Sequence, residues 1–194
     1  MTGHELFIPV ALGISLAAAT GFRVFLPLLV MGLGVREGLL PISAGFDWVA
    51  TWPALVMLAV ASVTEIAAYY IPGLDNLLDG LAGPAAVVAG ILVSAAVLGP
   101  GFDGSPMLKW TLAIIAGGGA ASVTQTATTL LRGKSTVLTG GAGNHVVATG
   151  EIFGALGLSL LAVVLPYVAV AIVCIVGLLA FRVWWSRRMA KSLK

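Results

Sequence analysis

Four ionisable side chains lie within or beside long apolar stretches of the sequence and are the first candidates for chemistry. Arg23 stands about sixteen residues into the first apolar run, Glu65 lies in the second run, and Glu151 lies in the fifth, with His145 at its entrance. A charged side chain inside a bilayer costs about 2.5–3.5 kcal/mol on insertion scales, so it normally faces other helices and has a partner. We therefore predict an ion pair of Arg23 with Glu65 or Glu151.

This ion pair has two interpretations. As a structural clamp it only holds parts of a helical bundle together, because a lone buried charge would lose its hydration without compensation. As a functional pair it uses Arg23 to attract an anionic group, or a glutamate to carry a proton. On the functional interpretation, the substrate site is lined by Thr20, Arg23, Glu65, Thr124, Gln125, Asn144 and Glu151.

The composition places these residues in a membrane protein. Of the 194 residues, 59% are hydrophobic and 9% are charged, and the mean hydropathy of +1.08 is too high for an average soluble domain. Membrane lipid is the expected partner, and a net charge of +2 does not favour nucleic acid. The single cysteine, Cys174, excludes an intramolecular disulfide and a CxxC metal or redox site.

Six apolar runs are candidates to cross about 30 Å of hydrocarbon as helices. The first run contains Gly21, Arg23 and Pro27 near its middle, which predicts a kinked or broken helix. No linker divides the chain, so we predict one all-α domain over residues 1–194, a polytopic transmembrane helical bundle. The runs are Phe7–Leu33, Trp52–Ile71, Pro84–Leu98, Trp110–Leu131, Val146–Val164 and Tyr167–Trp185.

Basic residues near the ends of the runs predict the orientation. Cytoplasmic flanks of membrane helices carry an excess of Lys and Arg, so the basic C-terminal tail is expected in the cytoplasm. An even number of spans then places the N-terminus on the same side, and Arg132 and Lys134 fall in a cytoplasmic turn. The tail contains Arg182, Arg187, Arg188, Lys191 and Lys194.

Two alignments of the chain with itself suggest an internal repeat. An offset of 102 residues aligns Ala11–Leu29 with Ala113–Leu131, and a second offset aligns Thr64-Glu65-Ile66 with Thr149-Gly150-Glu151-Ile152. Three spans in each half, over residues 7–99 and 110–185, would give the halves opposite orientations, as in transporters with inverted repeats. The alternative is that membrane helices rich in Ala and Gly resemble each other by composition alone.

Two acidic residues follow the second run, four positions apart. On a helix, Asp75 and Asp79 share one face, where two carboxylates could bind a divalent cation together with a substrate phosphate. The alternatives are a solvated loop and, for Asp75, a cap on a helix start. The spacing is therefore only a weak indication of a metal site.

Two glycine-rich stretches lie in the second half of the chain. The small residues of Gly117–Ala121 favour close packing of neighbouring helices. The backbone of Thr139–Asn144, near Arg132 and Lys134, could hold an anion or simply break a helix. Gly133-Lys134-Ser135 lacks the GxxxxGK[ST] spacing of a P-loop, and we expect no cofactor.

Three ordered stretches carry a family resemblance: Thr20-Gly21-Phe22-Arg23-Val24-Phe25-Leu26-Pro27, then Glu65 with Ile71-Pro72-Gly73-Leu74-Asp75 and Leu78-Asp79, then Ser135-Thr136, Thr139-Gly140-Gly141, Gly143-Asn144 and Glu151. Over nearly its whole length the chain resembles a family of bacterial integral membrane proteins known as domain of unknown function 4126. The resemblance implies residence in a membrane but no activity, and we expect that membrane to be the cell inner membrane. The family pattern has an acidic–basic pair and a proline where this chain has Tyr69, Tyr70 and His145.

Three functions remain open from the sequence. The first is a small transporter or channel, not an enzyme, for a polar or anionic solute. The second is a membrane enzyme acting on a lipid-linked phosphate, with His145, Glu151 or the two aspartates as acid–base groups. Gly21–Pro27 is faintly similar to a segment of polyprenyl-diphosphate phosphatases, although the glutamate pair before that segment is missing. The third is a non-catalytic membrane subunit, and small-residue faces also permit a homodimer.

Overall fold

The computed structural model describes residues 4–71, 73–99 and 105–192, which form a bundle of α-helices. The described residues contain no β-strand, so the predicted all-α class is confirmed. Pro72 and Lys194 lie outside them, and the side chains of Arg187, Arg188 and Lys191 are likewise not described. The helices are α1 (His4–Thr20), α2 (Phe25–Arg36), a 3-10 turn (Asp47–Ala50), α3 (Trp52–Ala68), α4 (Leu74–Leu98), α5 (Pro106–Leu112), a π-helical turn (Ala113–Gly118), α6 (Gly119–Thr139), α7 (Asn144–Val164) and α8 (Pro166–Ser192).

Local sequence signals set several helix ends. The Thr51 hydroxyl accepts a hydrogen bond from the Ala54 amide at the start of α3, and the Ser105 hydroxyl accepts one from the Leu108 amide in α5. A proline follows closely in both helices, at a position where its missing N–H is not needed. At the other end of a helix, Gly140 follows α6 with a left-handed φ of 63°.

The first apolar run forms two antiparallel helices, which corrects the prediction of one span. The predicted break is present, because α1 and α2 are separated by residues 21–24. The loop after α2 returns towards the start of α1: the Ser43 amide donates to the Ala96 carbonyl at 2.8 Å, beside the α4 residues that contact Gly13. The sequence could not distinguish a kink from a reversal, because the same glycine-containing break permits both.

This reversal changes the direction of the helices that follow. α1 and the continuous α5–α6 helix are both antiparallel to α4 and therefore run the same way, so the segments aligned at an offset of 102 residues are not an inverted pair. The start of α1 and the end of α8 lie at opposite ends of the bundle, because Leu12 packs in one cluster with Ala169 whereas Ala18 lines a groove together with Ala180. The expectation that both termini share a side is therefore not supported. The pairs that define these directions are Gly13 with Ser94, Thr20 with Ala86, Gly117 with Ser94, and Arg132 with Asp79.

Glycine allows α4 and the α5–α6 helix to approach closely. A Cβ atom added to Gly90 would lie 2.7 Å from the Ala121 Cβ, and one added to Gly117 would lie 2.6 Å from the Gly90 carbonyl oxygen. The π-helical turn at Ala113–Gly118 lies at the same place. Within Gly117–Ala121, the predicted packing role is therefore confirmed for Gly117, Gly118 and Ala121, whereas Gly119 is exposed and has no neighbour within 4 Å of an added Cβ atom.

Three helical stretches are long and apolar enough to cross a membrane: Leu77–Leu98, Pro106–Thr139 and Asn144–Val164. The first two are longer than the predicted runs, because α4 continues through Pro84 and α6 continues beyond Leu131. Many large apolar side chains are exposed on the outside of the bundle, as expected for a surface that faces lipid. These features are consistent with a membrane protein. Because the first run is divided, the described residues contain seven apolar helical stretches and not six, and how many of them cross a membrane stays a prediction. The shorter apolar helices are Phe7–Thr20, Phe25–Arg36, Trp52–Ala68 and Pro166–Arg182.

Candidate functional site

Four charged side chains and a tyrosine meet near the α1–α2 break. Arg23 Nη2, in the break, lies 3.0 Å from Glu151 Oε2 of α7. Arg132 Nη2 of α6 donates to the same carboxylate oxygen. Both arginines are 1% exposed and Glu151 is 4% exposed, so these ions are held away from solvent. We refer to Arg23, Tyr69, Asp79, Arg132 and Glu151 as the charge cluster.

Tyr69 and Asp79 complete the charge cluster. The centroid of the Tyr69 ring lies 3.8 Å from Arg23 Cζ and 4.2 Å from Arg132 Cζ. A guanidinium over an aromatic face gains a cation–π attraction that strengthens when water is excluded. Asp79 Oδ2 lies 3.4 Å from Arg132 Nε. Two guanidiniums are thus balanced by two carboxylates and share one aromatic ring.

The arginines retain donors that no described group accepts. Arg23 Nη2 also donates to the Ala148 carbonyl at 3.2 Å, which ties the helix break to α7. Arg23 Nε and Nη1 and Arg132 Nη1 are buried without a hydrogen-bond partner among the described residues, and so is Glu151 Oε1. Because buried polar atoms in native proteins are nearly always paired, these atoms are positions where a polar ligand could bind.

Glu65 caps α2 and does not form the close ion pair with Arg23. Its Oε1 accepts from the Val24 amide at 2.8 Å, and its Oε2 accepts from the Phe25 amide at 3.1 Å. A carboxylate at a helix N-terminus satisfies free amides and interacts favourably with the helix dipole. Of the two partners predicted for Arg23, the structure therefore selects Glu151, while Glu65 holds the start of the adjacent helix.

Replacing Glu65 by alanine is expected to destabilise the protein by about 1–2 kcal/mol, because two amides at the start of α2 lose their acceptor. Thr64→Ala is the matched control, since the exposed Thr64 hydroxyl bonds to the Val60 carbonyl within its own helix. Equilibrium unfolding of the purified variants in mixed micelles measures the difference. Equal stabilities of the two variants would contradict the capping role.

Asp75 and Asp79 have separate protein partners and are not a solvated loop pair. Asn144 Nδ2 donates to Asp75 Oδ2 and to Thr136 Oγ1, both at 2.8 Å. Asp75 Oδ1 accepts from the Gly73 amide at 3.0 Å, in agreement with the capping alternative. In the part of the chain that the structure describes, no group of three or more His, Cys, Asp or Glu side chains could hold a metal ion. The hydrogen bonds of Asn144 with Asp75 and Thr136 instead join the starts of α4 and α7 to the end of α6.

An apolar groove of about 630 Å³ lies between α1, α6, α7 and α8, and its lining includes no member of the charge cluster. We call it the lateral groove. Thr124, one of the predicted site residues, lines this groove, and its hydroxyl donates to a carbonyl of its own helix. Other lining residues are Phe22, Gly119, Thr128, Leu131, Gly154 and Gly177.

The remaining predicted residues lie in different surroundings. Thr20 is buried, and its hydroxyl donates to an α4 carbonyl at 3.1 Å. Gln125 is buried, and its side-chain amide donates to Thr129 at 3.3 Å. His145 is exposed at the start of α7, with its ring 5.7 Å from that of Tyr70. An acid–base role for His145 beside the arginines is therefore not supported.

Arg132 and Tyr69 are the members of the charge cluster that the sequence interpretation missed. The sequence places Arg132 in a cytoplasmic turn, but α6 continues to Thr139, so Arg132 lies on a helix and its side chain is buried. The signal available in the sequence was the helical spacing of Gln125, Thr128 and Arg132, which places the three side chains on one face of a helix. No local pattern marks Tyr69. The buried positions of α6 are Ala121, Gln125, Thr128 and Arg132.

Comparison with known proteins adds a family but no activity. A family model described as Domain of unknown function (DUF4126) matches residues 10–186 of the chain. No curated protein and no solved structure matches it. The matched range covers most of the chain and contains every member of the charge cluster, so the family resemblance is confirmed.

Proposed function

We propose that this chain, which belongs to the DUF4126 family, is a membrane transporter for a small anionic solute. The observation that carries the proposal is the convergence of two buried guanidiniums on one carboxylate at a helix break, with donors left unpaired. Arginine presents a planar fork of donors that matches carboxylate and phosphate groups. Charged groups inside membrane bundles commonly mark substrate or ion pathways.

The arrangement of charges suggests how an anion would be accepted. Glu151 contacts both guanidiniums and takes the place that an anionic group of the solute would occupy. An entering monoanion would displace this carboxylate from the arginines, and a proton taken up by Glu151 would then keep the net charge of the cluster unchanged. The transported species would be one anion together with one proton.

The direction of the helices also supports the proposal. α1 ends and α2 begins next to Arg23, as in transporters whose discontinuous helices form the binding site. α3 with Glu65 and α7 with Glu151 are antiparallel, as an inverted pair would be. The proposed orientation in the inner membrane follows the basic tail, with the C-terminus in the cytoplasm and the N-terminus on the opposite side.

Uptake into proteoliposomes tests the proposal, with labelled inorganic phosphate, methyl phosphate and oxalate as probes. We expect uptake of at least one probe to rise when the outside is acidified. Arg23→Gln should slow it by about tenfold or more, since a charge-assisted hydrogen bond is worth about 1.5–3 kcal/mol. Arg36→Gln is the control, because Arg36 is exposed at the far end of α2. Uptake equal to that of protein-free liposomes for every probe would refute transport of such anions.

A membrane enzyme acting on a lipid-linked phosphate is a second candidate, favoured by the apolar lateral groove, whose lining includes the sequence neighbours of both arginines, Phe22 and Leu131. With His145 on the outside, Asp79 and Glu151 are the acid–base groups near the guanidiniums. Release of inorganic phosphate from farnesyl diphosphate by the purified protein, lost in Asp79→Asn, would favour hydrolysis over transport.

A further inference from the structure

We infer that the transported anion is amphipathic, with its charged group at the two arginines and an apolar chain in the lateral groove. The inference rests on the proposed function and adds the class of substrate. It explains two features together, namely the unpaired guanidinium donors and an apolar groove with one end at their level.

One end of the lateral groove lies at the level of the charge cluster along the bundle, although no side chain of the cluster lines the groove. Phe22 and Leu131 line the groove, and the residue after each of them, Arg23 and Arg132, belongs to the cluster. Gly154 also lines the groove, about one helical turn along α7 from the bridging carboxylate. A molecule lying in the groove therefore has one end at the level of the guanidiniums.

The walls of the groove suit a hydrocarbon chain that enters from the bilayer. The lining side chains are almost all apolar, and a volume of about 630 Å³ is within the range of small-molecule sites. Three of its lining residues, Val123, Leu131 and Phe153, are exposed on the outside of the bundle. Because this outside surface is the one that faces lipid, an occupant can reach the groove without crossing water.

The chemistry of the arginines determines the charge of the head group. A hydrocarbon chain alone would fill the groove but leave Arg23 Nε and Nη1 and Arg132 Nη1 without acceptors. A small inorganic anion would satisfy those donors but would not use the groove. A phosphate or carboxylate on a single apolar chain satisfies both, because such head groups accept the donor fork of arginine.

Binding of alkyl phosphates to the protein in phosphatidylcholine nanodiscs tests the inference. Gly177→Leu extends a side chain into the groove, and a Cβ atom there meets nothing within 4 Å, so the helix need not shift. We expect this variant to weaken binding of dodecyl phosphate by about tenfold or more, since each excluded methylene is worth about 0.8 kcal/mol. Binding of methyl phosphate should be unchanged.

Gly157→Leu is the matched control, because Gly157 is exposed on α7, is equally open, and does not line the groove. Both leucine variants should unfold at the same temperature and bind methyl phosphate equally. Equal binding of methyl and dodecyl phosphate by the wild type, insensitive to Gly177→Leu, would overturn the inference while leaving an anion site intact. Absence of binding for both phosphates would instead count against the proposed function itself.

Discussion

Replacing Glu151 by alanine is expected to destabilise the folded protein by about 3–5 kcal/mol, the range seen when one partner of a buried ion pair is removed. Arg132 donates a hydrogen bond to this carboxylate, Arg23 forms an ion pair with it at 3.0 Å, and both arginines are buried. Without it, Arg23 loses its closest counter-charge, and Arg132 retains only its longer contact with Asp79. Equilibrium unfolding in mixed micelles measures the loss.

Glu37→Gln is the control for this experiment, because Glu37 is exposed at the end of α2 and its removal should change stability by less than about 0.5 kcal/mol. Combining Glu151→Ala with Arg23→Met should recover part of the loss, since one unpaired charge is removed with its partner. If Glu151→Ala were as stable as Glu37→Gln, solvent would have to reach the arginines. The conclusion that the charge cluster is buried would then be wrong.

Two separate glycine-to-alanine variants near the π-helical turn, Gly117→Ala and Gly119→Ala, are expected to change the stability of the protein in opposite directions. A Cβ atom at Gly117 would lie 2.6 Å from the Gly90 carbonyl oxygen and 2.6 Å from the Ser94 Cβ, so α4 would have to move. We expect Gly117→Ala to destabilise the protein by about 1–3 kcal/mol. Gly119→Ala meets nothing within 4 Å and should stabilise it by about 0.5–1 kcal/mol, through helix propensity.

Thermal and denaturant unfolding of the two glycine variants gives the comparison directly. Because both substitutions add one methyl group two residues apart, differences in expression or in detergent binding largely cancel. If both variants were stabilised, α4 and the α5–α6 helix would have to be further apart than the structure places them.

Composition and spacing alone were enough to predict an all-α membrane bundle and a break near Arg23. They were also enough to predict that Arg23 needs a buried carboxylate, because the cost of placing a charge in hydrocarbon depends on residue type and position in the run. They could not choose between Glu65 and Glu151, since that choice depends on which helix packs beside the break. The structure pairs Glu151 with Arg23 and uses Glu65 as a cap.

The tertiary structure decided those features that depend on contacts between segments far apart in the sequence, namely the helix directions and the membership of the charge cluster. The reversal after α1 sets the direction of every later helix, and it is visible only when the loop after α2 is seen to meet α4. Arg132 and Tyr69 joined the charge cluster because α6 extends to Thr139 and α3 ends beside it. The local sequence around Arg132, with a glycine and a lysine after it, is compatible both with an exposed turn and with a buried helix. Only packing against Glu151, which holds a counter-charge in a low-dielectric interior, makes the buried position stable for Arg132.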